Sequence, residues 1–552
     1  MDRGVVNPRV GGRTGSAKSV VNPTHLACRC SICYDGSLST HTTCLRRPPN
    51  WRSHHDYRPE PHHMWAPVMR DTAQAALGLL PQGVQYADVR VVHRTHELVL
   101  VEHNGPGEVT YDDSLGLGLR VLVDGQWGFA ATHRLDRRGL SDAVSEAVGQ
   151  ARALGAGPKI HLGDPVTAHA QWRSPMVEDP FKVSLSTKLD LLASSVKEAE
   201  TAGPKVRQVE ASMDFFRDDK VFANTEGAMI EQTLTESGAG LVVFARDDND
   251  IQRRSYPQSI PRTIRGQRGD FAGAGYEHIG TLNLVEESAR VGDDAVALLT
   301  AAQCPDEVTT LIVTGEQLAM LLHECAGHPM EADRALGSEA SLAGGTYASP
   351  ERRGSFRFGA PIISVAADST IPGALGSFGY DDEGVAAQRV ELIRDGIFTG
   401  YMSGRESATA LGERSTGSAR ADGWQRLPLV RMSNLCLQPG DSSLAEMISG
   451  TKRGVLVDMS KAFSIDDQRM SFRFGTEAGW EIRDGKLGRL LKNCSYTGVT
   501  PQFWAGCEAL GGPDEYRVHG IPSCGKGEPL QVAHIGHGTV PARFNGVQVG
   551  TR

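Results

Sequence analysis

From residue 64 onward, apolar side chains recur in two rhythms. A period near 3.6 predicts helices over 69–79, 141–154, 185–202 and 284–302. Alternation predicts a strand pair over 87–92 and 97–103. It also predicts a hairpin of 114–123 and 126–131 turning at Asp124 and Gly125. Residues 206–245 alternate like a meander, with turns at Asp218-Asp219 and Glu226-Gly227. Residues 156–184 hold four prolines and read as an extended connection. The polar, Arg- and Gly-rich stretch 246–280 reads as a long mobile loop or a substrate-covering segment. After 303 the chain is strands and turns: 308–313, 362–367, 390–394 with 397–402, 455–458, 470–474, 479–482 and 487–491. The fold class expected is α+β. A small N-terminal α/β domain precedes a β-rich antiparallel C-terminal domain with the chemically richest helix at its start. The divisions predicted are 64–184 (α/β domain and linker), 185–303 (helix plus meander) and 304–552 (β-rich domain).

Residues 1–63 follow neither rhythm. They are rich in Arg, Pro, Ser and His and poor in acids. Three readings stand: a disordered tail, an organelle transit peptide, or translation from an upstream start with Met64 as the true first residue. The cysteines of CRCSIC, Cys28 to Cys33, match no zinc module.

Composition narrows the picture. A chain of 552 residues exceeds one core and implies two to four domains. The net charge of −9 argues against a broad nucleic-acid surface, and no apolar run is long enough for a membrane helix. No nucleic-acid or membrane partner is expected. Four of the ten cysteines lie in the first 44 residues and the other six are scattered, which is not a disulfide framework. With no secretory apolar region, a reducing cytoplasm is the expected location.

The chemistry gathers in TGEQLAMLLHECAGHPMEADR, residues 314–334. Thr314 and Gln317 have the spacing of a capping box, which would start a helix there. His323, Glu324 and His328 form an H-E-x-x-x-H pattern. On an ideal helix, residues five apart point about 140° away from each other. Gly327 and Pro329 are expected to open the helix and swing His328 back toward His323. Two neutral imidazoles suit Zn²⁺, and Glu324 would lie beside its water. The plainer reading is a helix end with two hydrogen-bonded histidines and a solvated glutamate. A catalytic zinc needs a third ligand. Glu331, Asp333, Cys325 and Cys524 are candidates, and spacing does not choose among them.

Further segments make a resemblance specific: GSFGYDDEG (376–384), DGIFTGYM (395–402), STGSAR (415–420), RMSN (431–434), SCGKGEP (523–529) and GLGLRVLVDGQWGFAAT (116–132). Together with the motif helix they resemble the TldD/PmbA family of metallopeptidases in its TldD-type catalytic branch, over residues 66–550. The resemblance implies metal ligands His323, His328 and Cys524, with Glu324 as general base. It implies a peptidase acting on peptides or unfolded protein segments. It also implies a two-subunit assembly, either a homodimer or a heterodimer with a non-catalytic sister. Two alternatives remain: a metal-stabilised binding or assembly subunit, and a dedicated maturation protease for one modified peptide. His519, His534 and His537 are candidate oxyanion donors, with a plain loop role beside that. Lys526 is a candidate for lowering the Cys524 pKa. Asp381, Asp382 and Glu383 read either as a solvated turn or as partners of arginines near the site.

Overall fold

The computed structural model describes residues 65–550 apart from 104, 156, 259–268, 342 and 528. The extension 1–63, with its cysteine cluster, and the middle of the expected 246–280 loop lie outside the described residues. The fold is α+β with mainly antiparallel sheets.

All the described strands between 86 and 272 join one sheet. Its strands are β1 (Tyr86–Glu102), β2 (Gly105–Val123), β3 (Gln126–Thr132), β4 (His169–Arg173), β5 (Val206–Asn224), β6 (Met229–Arg246), β7 (Ile251–Tyr256) and β8 (Asp270–Ala272). Their order is β3-β2-β1-β5-β6-β4, with β7 and β8 also pairing with β6. The expected 87–92/97–103 pair is instead a single strand, β1. The expected turn at Asp218-Asp219 is mid-strand in β5. β4 occupies part of the expected extended connection, and β7 and β8 occupy the expected loop.

The reason lies in the two faces of the sheet. Side chains alternate along a strand. Val89 and Val91 enter a core with helices α1 (Trp65–Gly78) and α2 (Arg137–Ala153). Val99 and Val101, on the same face, enter a second core with α3 (Leu185–Glu200) and α4 (Leu284–Thr300). The polar run between them crosses from one core to the other, and it pairs instead of turning. Glu97, for example, receives Lys188 of α3 at 2.9 Å. The opposite face carries Asp88, Arg90 and Arg94 toward the C-terminal half. Arg120 bridges Asp88 and Glu383, Arg94 joins Asp218 and Asp422, and Arg90 donates to the Gly423 and Arg426 carbonyls. A polar run in a strand thus marks an interdomain surface here, not a turn.

Among the described residues, the C-terminal half holds two large sheets and a short two-stranded one, Ala419–Arg420 with Leu429–Val430. In one of the large sheets, Arg453–Ile465, Glu307–Val313, Ala542–Val549, Ser495–Val499 and Ser471–Arg483 pair in succession, and the last pairs back onto the first. The ring encloses Phe474, Tyr496, Trp504 and Phe544. In the other sheet the final two strands are Gln531–Thr539 and, at the edge, Arg517–Lys526. The acidic turn is buried and satisfied. Asp381 accepts main-chain N–H groups of Glu383, Val385 and Ala419, and Asp382 pairs with Lys220 of β5. No helix among the described residues is long and apolar enough to cross a membrane.

Candidate metal centre

The strand Glu307–Val313 delivers the chain into the helix Gly315–Leu322. The expected capping box does not form. Thr314 Oγ1 donates to Asp458 at 2.8 Å, and Gln317 Nε2 donates to the Tyr496 hydroxyl at 2.7 Å. Both side chains tie the helix to the strand ring instead.

Residues His323–Gly327 then form a π turn, and His328–Met330 a 3₁₀ turn. The His328 N–H bonds to the His323 carbonyl, five residues back. The expected opening of the helix is therefore a widening. His328 keeps helical angles (φ −57, ψ −38), and the extra residue per turn brings its ring over that of His323. Pro329 cannot donate to the Cys325 carbonyl, which accepts the Tyr347 hydroxyl at 2.5 Å instead. Gly327 has an ordinary φ of −64, so its role is not flexibility. A Cβ there would lie 2.1 Å from Met432 Sδ and 2.7 Å from Leu435 Cδ1. Gly327→Ala is expected to destabilise the fold by about 1–3 kcal/mol through overpacking. Urea unfolding checks this, and an unchanged midpoint would refute it.

His323 Nε2 and His328 Nε2 lie 3.2 Å apart. Cys524, on the edge strand Arg517–Lys526, places Sγ 3.5 Å from the first and 3.6 Å from the second. A tetrahedral zinc with ordinary bond lengths has N···N and N···S edges of about 3.3 and 3.6 Å. The three donors therefore fit one such ion. Among the described residues, these three form the only cluster of this kind. All are buried, at 3–4% exposure.

The other candidates separate cleanly. Glu331 stands behind His328, with Oε2 2.9 Å from Nδ1. Lys526 supports it at 3.2 Å and bonds Asp333 at 2.7 Å. Burial raises the Glu331 pKa, but Lys526 and then His328 outweigh it and hold the carboxyl well below its ordinary value. Such a carboxylate orients a histidine ligand and fixes its tautomer. Cys325 faces Thr500, and burial pushes its thiol up to about 12. Burial also opposes ionisation of Cys524, but Arg431 and then His328 outweigh it and pull the thiol below its usual value. Arg431, which donates to the Cys524 carbonyl at 2.6 Å, is thus the main cation favouring that thiolate. Burial holds His323 below the ordinary imidazole value, which leaves a lone pair free. His537 Nε2 sits 3.1 Å from His323 Nδ1, and His534 pairs with Glu236 across the interface.

Glu324 lies beside His323 and is ion-paired with Arg469. Sequence reasoning missed Arg469. It occupies a hairpin turn with a left-handed φ of 59, its carbonyl anchored by Thr500 Oγ1 at 2.8 Å. Nothing in the local pattern distinguishes it from other turn arginines.

Models of the PmbA/TldA metallopeptidase family match three successive stretches: domain 1 at 87–153, the central domain at 178–302 and the C-terminal domain at 306–549. The chain belongs to this family. A metalloprotease of Methanothermobacter thermautotrophicus is 29% identical over 468 residues, which cover 85% of this chain and 96% of that protein. A zinc metalloprotease TldD homolog of Saccharolobus solfataricus is 22% identical, covering 76% and 87%. The crystal structure of TldE from Thermococcus kodakarensis shares the fold with a TM-score of 0.64 at 15% identity, covering 88% of this chain and all of that one.

Proposed function

We propose that the chain is a zinc-dependent peptidase of the TldD type, with His323, His328 and Cys524 as ligands and Glu324 as general base. The observation that carries this reading is the donor triangle, whose edges suit tetrahedral zinc and leave a fourth position for water. A structural zinc would usually close that position. Neither Glu331, whose Oε2 meets His328, nor Cys325, which faces Thr500, joins the donor cluster, which favours the catalytic reading over an assembly subunit.

Bound zinc would polarise the scissile carbonyl and lower the pKa of water toward about 7. Glu324 takes the proton from the attacking water and delivers it to the leaving amine. Arg469 orients that carboxylate, while Glu331 and His537 fix the two imidazoles. Cys524 lies on an edge strand, so an extended peptide can add to that edge through main-chain hydrogen bonds. The substrate is then a peptide or unfolded segment with weak sequence preference. The family resemblance supports a two-subunit assembly, homodimer or heterodimer with a non-catalytic sister, working in the cytoplasm.

Metal content and hydrolysis of an unfolded polypeptide, measured on the same sample, test the reading. About one zinc per chain is expected, with activity lost on chelation and restored by zinc. Activity that survives complete removal of metal would refute it.

A further inference from the structure

Between the N-terminal sheet and the strand Gln531–Thr539 lies a cavity of about 70 Å³, lined in part by Phe216, Leu234, Arg420, Arg431 and His534. One water needs roughly 10–15 Å³ of such space, so a carboxylate-sized group fits.

The charges around it are unevenly matched. Arg94 has Asp218 and Asp422, Lys220 has Asp382, and His534 has Glu236. Among the described residues, Arg420 and Arg431 form no ion pair and donate only to main-chain carbonyls. Arg420 reaches His534 and Met432, and Arg431 reaches Gln531 and Cys524. Each keeps a buried Nε–H without a partner, and Arg431 is 1% exposed. Burial and then the nearby Arg431 push the Arg420 guanidinium down to about 10. One buried and one half-buried guanidinium, each with an orphaned Nε–H, face one space and call for an anion. The segment Val532–His534 lines the cavity, and its Ala533 pairs across the ladder with Cys524. The cavity and the donor triangle thus share the hairpin that carries Cys524, with Arg431 touching both.

We propose that this cavity binds a carboxylate, gripped by Arg420 and Arg431. The carboxylate belongs either to a small free acid or to a polypeptide terminus, and its binding does not depend on hydrolysis at the zinc site.

Acetate, titrated into the full-length zinc-loaded protein at constant ionic strength, is the probe. A saturable rise in the unfolding midpoint is expected, beyond any effect of chloride. Arg420→Gln is expected to weaken the apparent affinity at least tenfold. Leu234→Phe fills the cavity without altering its charge and is expected to do the same, so the test does not hang on the folding of one variant. Equal responses to acetate and chloride, or an undiminished acetate response in both variants, would overturn the proposal. Competition by a peptide acid but not by its amide would support the site and assign the carboxylate to a polypeptide terminus. Saturable acetate binding unaffected by either peptide would support it as a site for a small free acid.

Discussion

Glu324→Gln is expected to lower peptide hydrolysis by about 10²–10⁴-fold while zinc stays bound, the range for removing a positioned general base. The amide has nearly the shape of the carboxylate but cannot take a proton from water. The three metal donors are untouched, so zinc content should match wild type. One side effect has to be separated. Arg469 pairs with Glu324 and would lose its counter-charge, at a stability cost of roughly 1–3 kcal/mol. Hydrolysis should therefore be compared well below the unfolding midpoint of the variant, on samples of equal zinc content. Single-turnover rates are the measurement, since they exclude product release. A variant that cleaves at the wild-type rate would remove Glu324 from the role of base.

How the site comes together was legible in the sequence only in part. The five-residue spacing of His323 and His328 demands a departure from α geometry, and the departure occurs where Gly327 and Pro329 stand. Its form was not legible. The π turn depends on the Tyr347 hydroxyl taking the Cys325 carbonyl, and on the Met432 side chain filling the space beside Gly327. Both partners are distant in sequence. Cys524 is about 200 residues from the histidines and reaches them only because it sits on a sheet edge, so spacing carried no signal and only the motif resemblance singled it out. The long strands β1 and β5 failed for another reason. Their polar middles satisfy every local rule for a turn, and only the neighbours, Lys188 and Glu97 or Asp422 and Arg94, show why charge is tolerated within a strand. Arg469 combines both difficulties, being a turn residue whose partner lies in another element.

Cys524→Ala is expected to abolish stoichiometric zinc binding, and with it activity. Two imidazoles from adjacent turns remain, but two donors leave the ion half solvated, and the lost ligand is the anionic one. Losing a supporting hydrogen bond costs a metal site about 10–100-fold in affinity, and losing a ligand should exceed that. The structure also says why the effect should be local. Arg431 bonds the Cys524 carbonyl, not its sulfur, so the main-chain tie of the edge strand survives truncation. Glu331 keeps both Lys526 and His328. The matched control is Cys325→Ala, next to Glu324 in sequence but turned toward Thr500, which should bind zinc like wild type. Zinc content after gel filtration, with a competing chelator to rank affinities, separates the two variants. Full zinc content in Cys524→Ala would break the donor triangle as a metal site. Loss of zinc in both variants would mean that the motif helix, not the thiolate, had been disturbed. With zinc lost from Cys524→Ala alone, a ligand 201 residues from His323 is held by the edge strand, and a peptide added to that edge, as proposed, would be placed by the strand that places the metal.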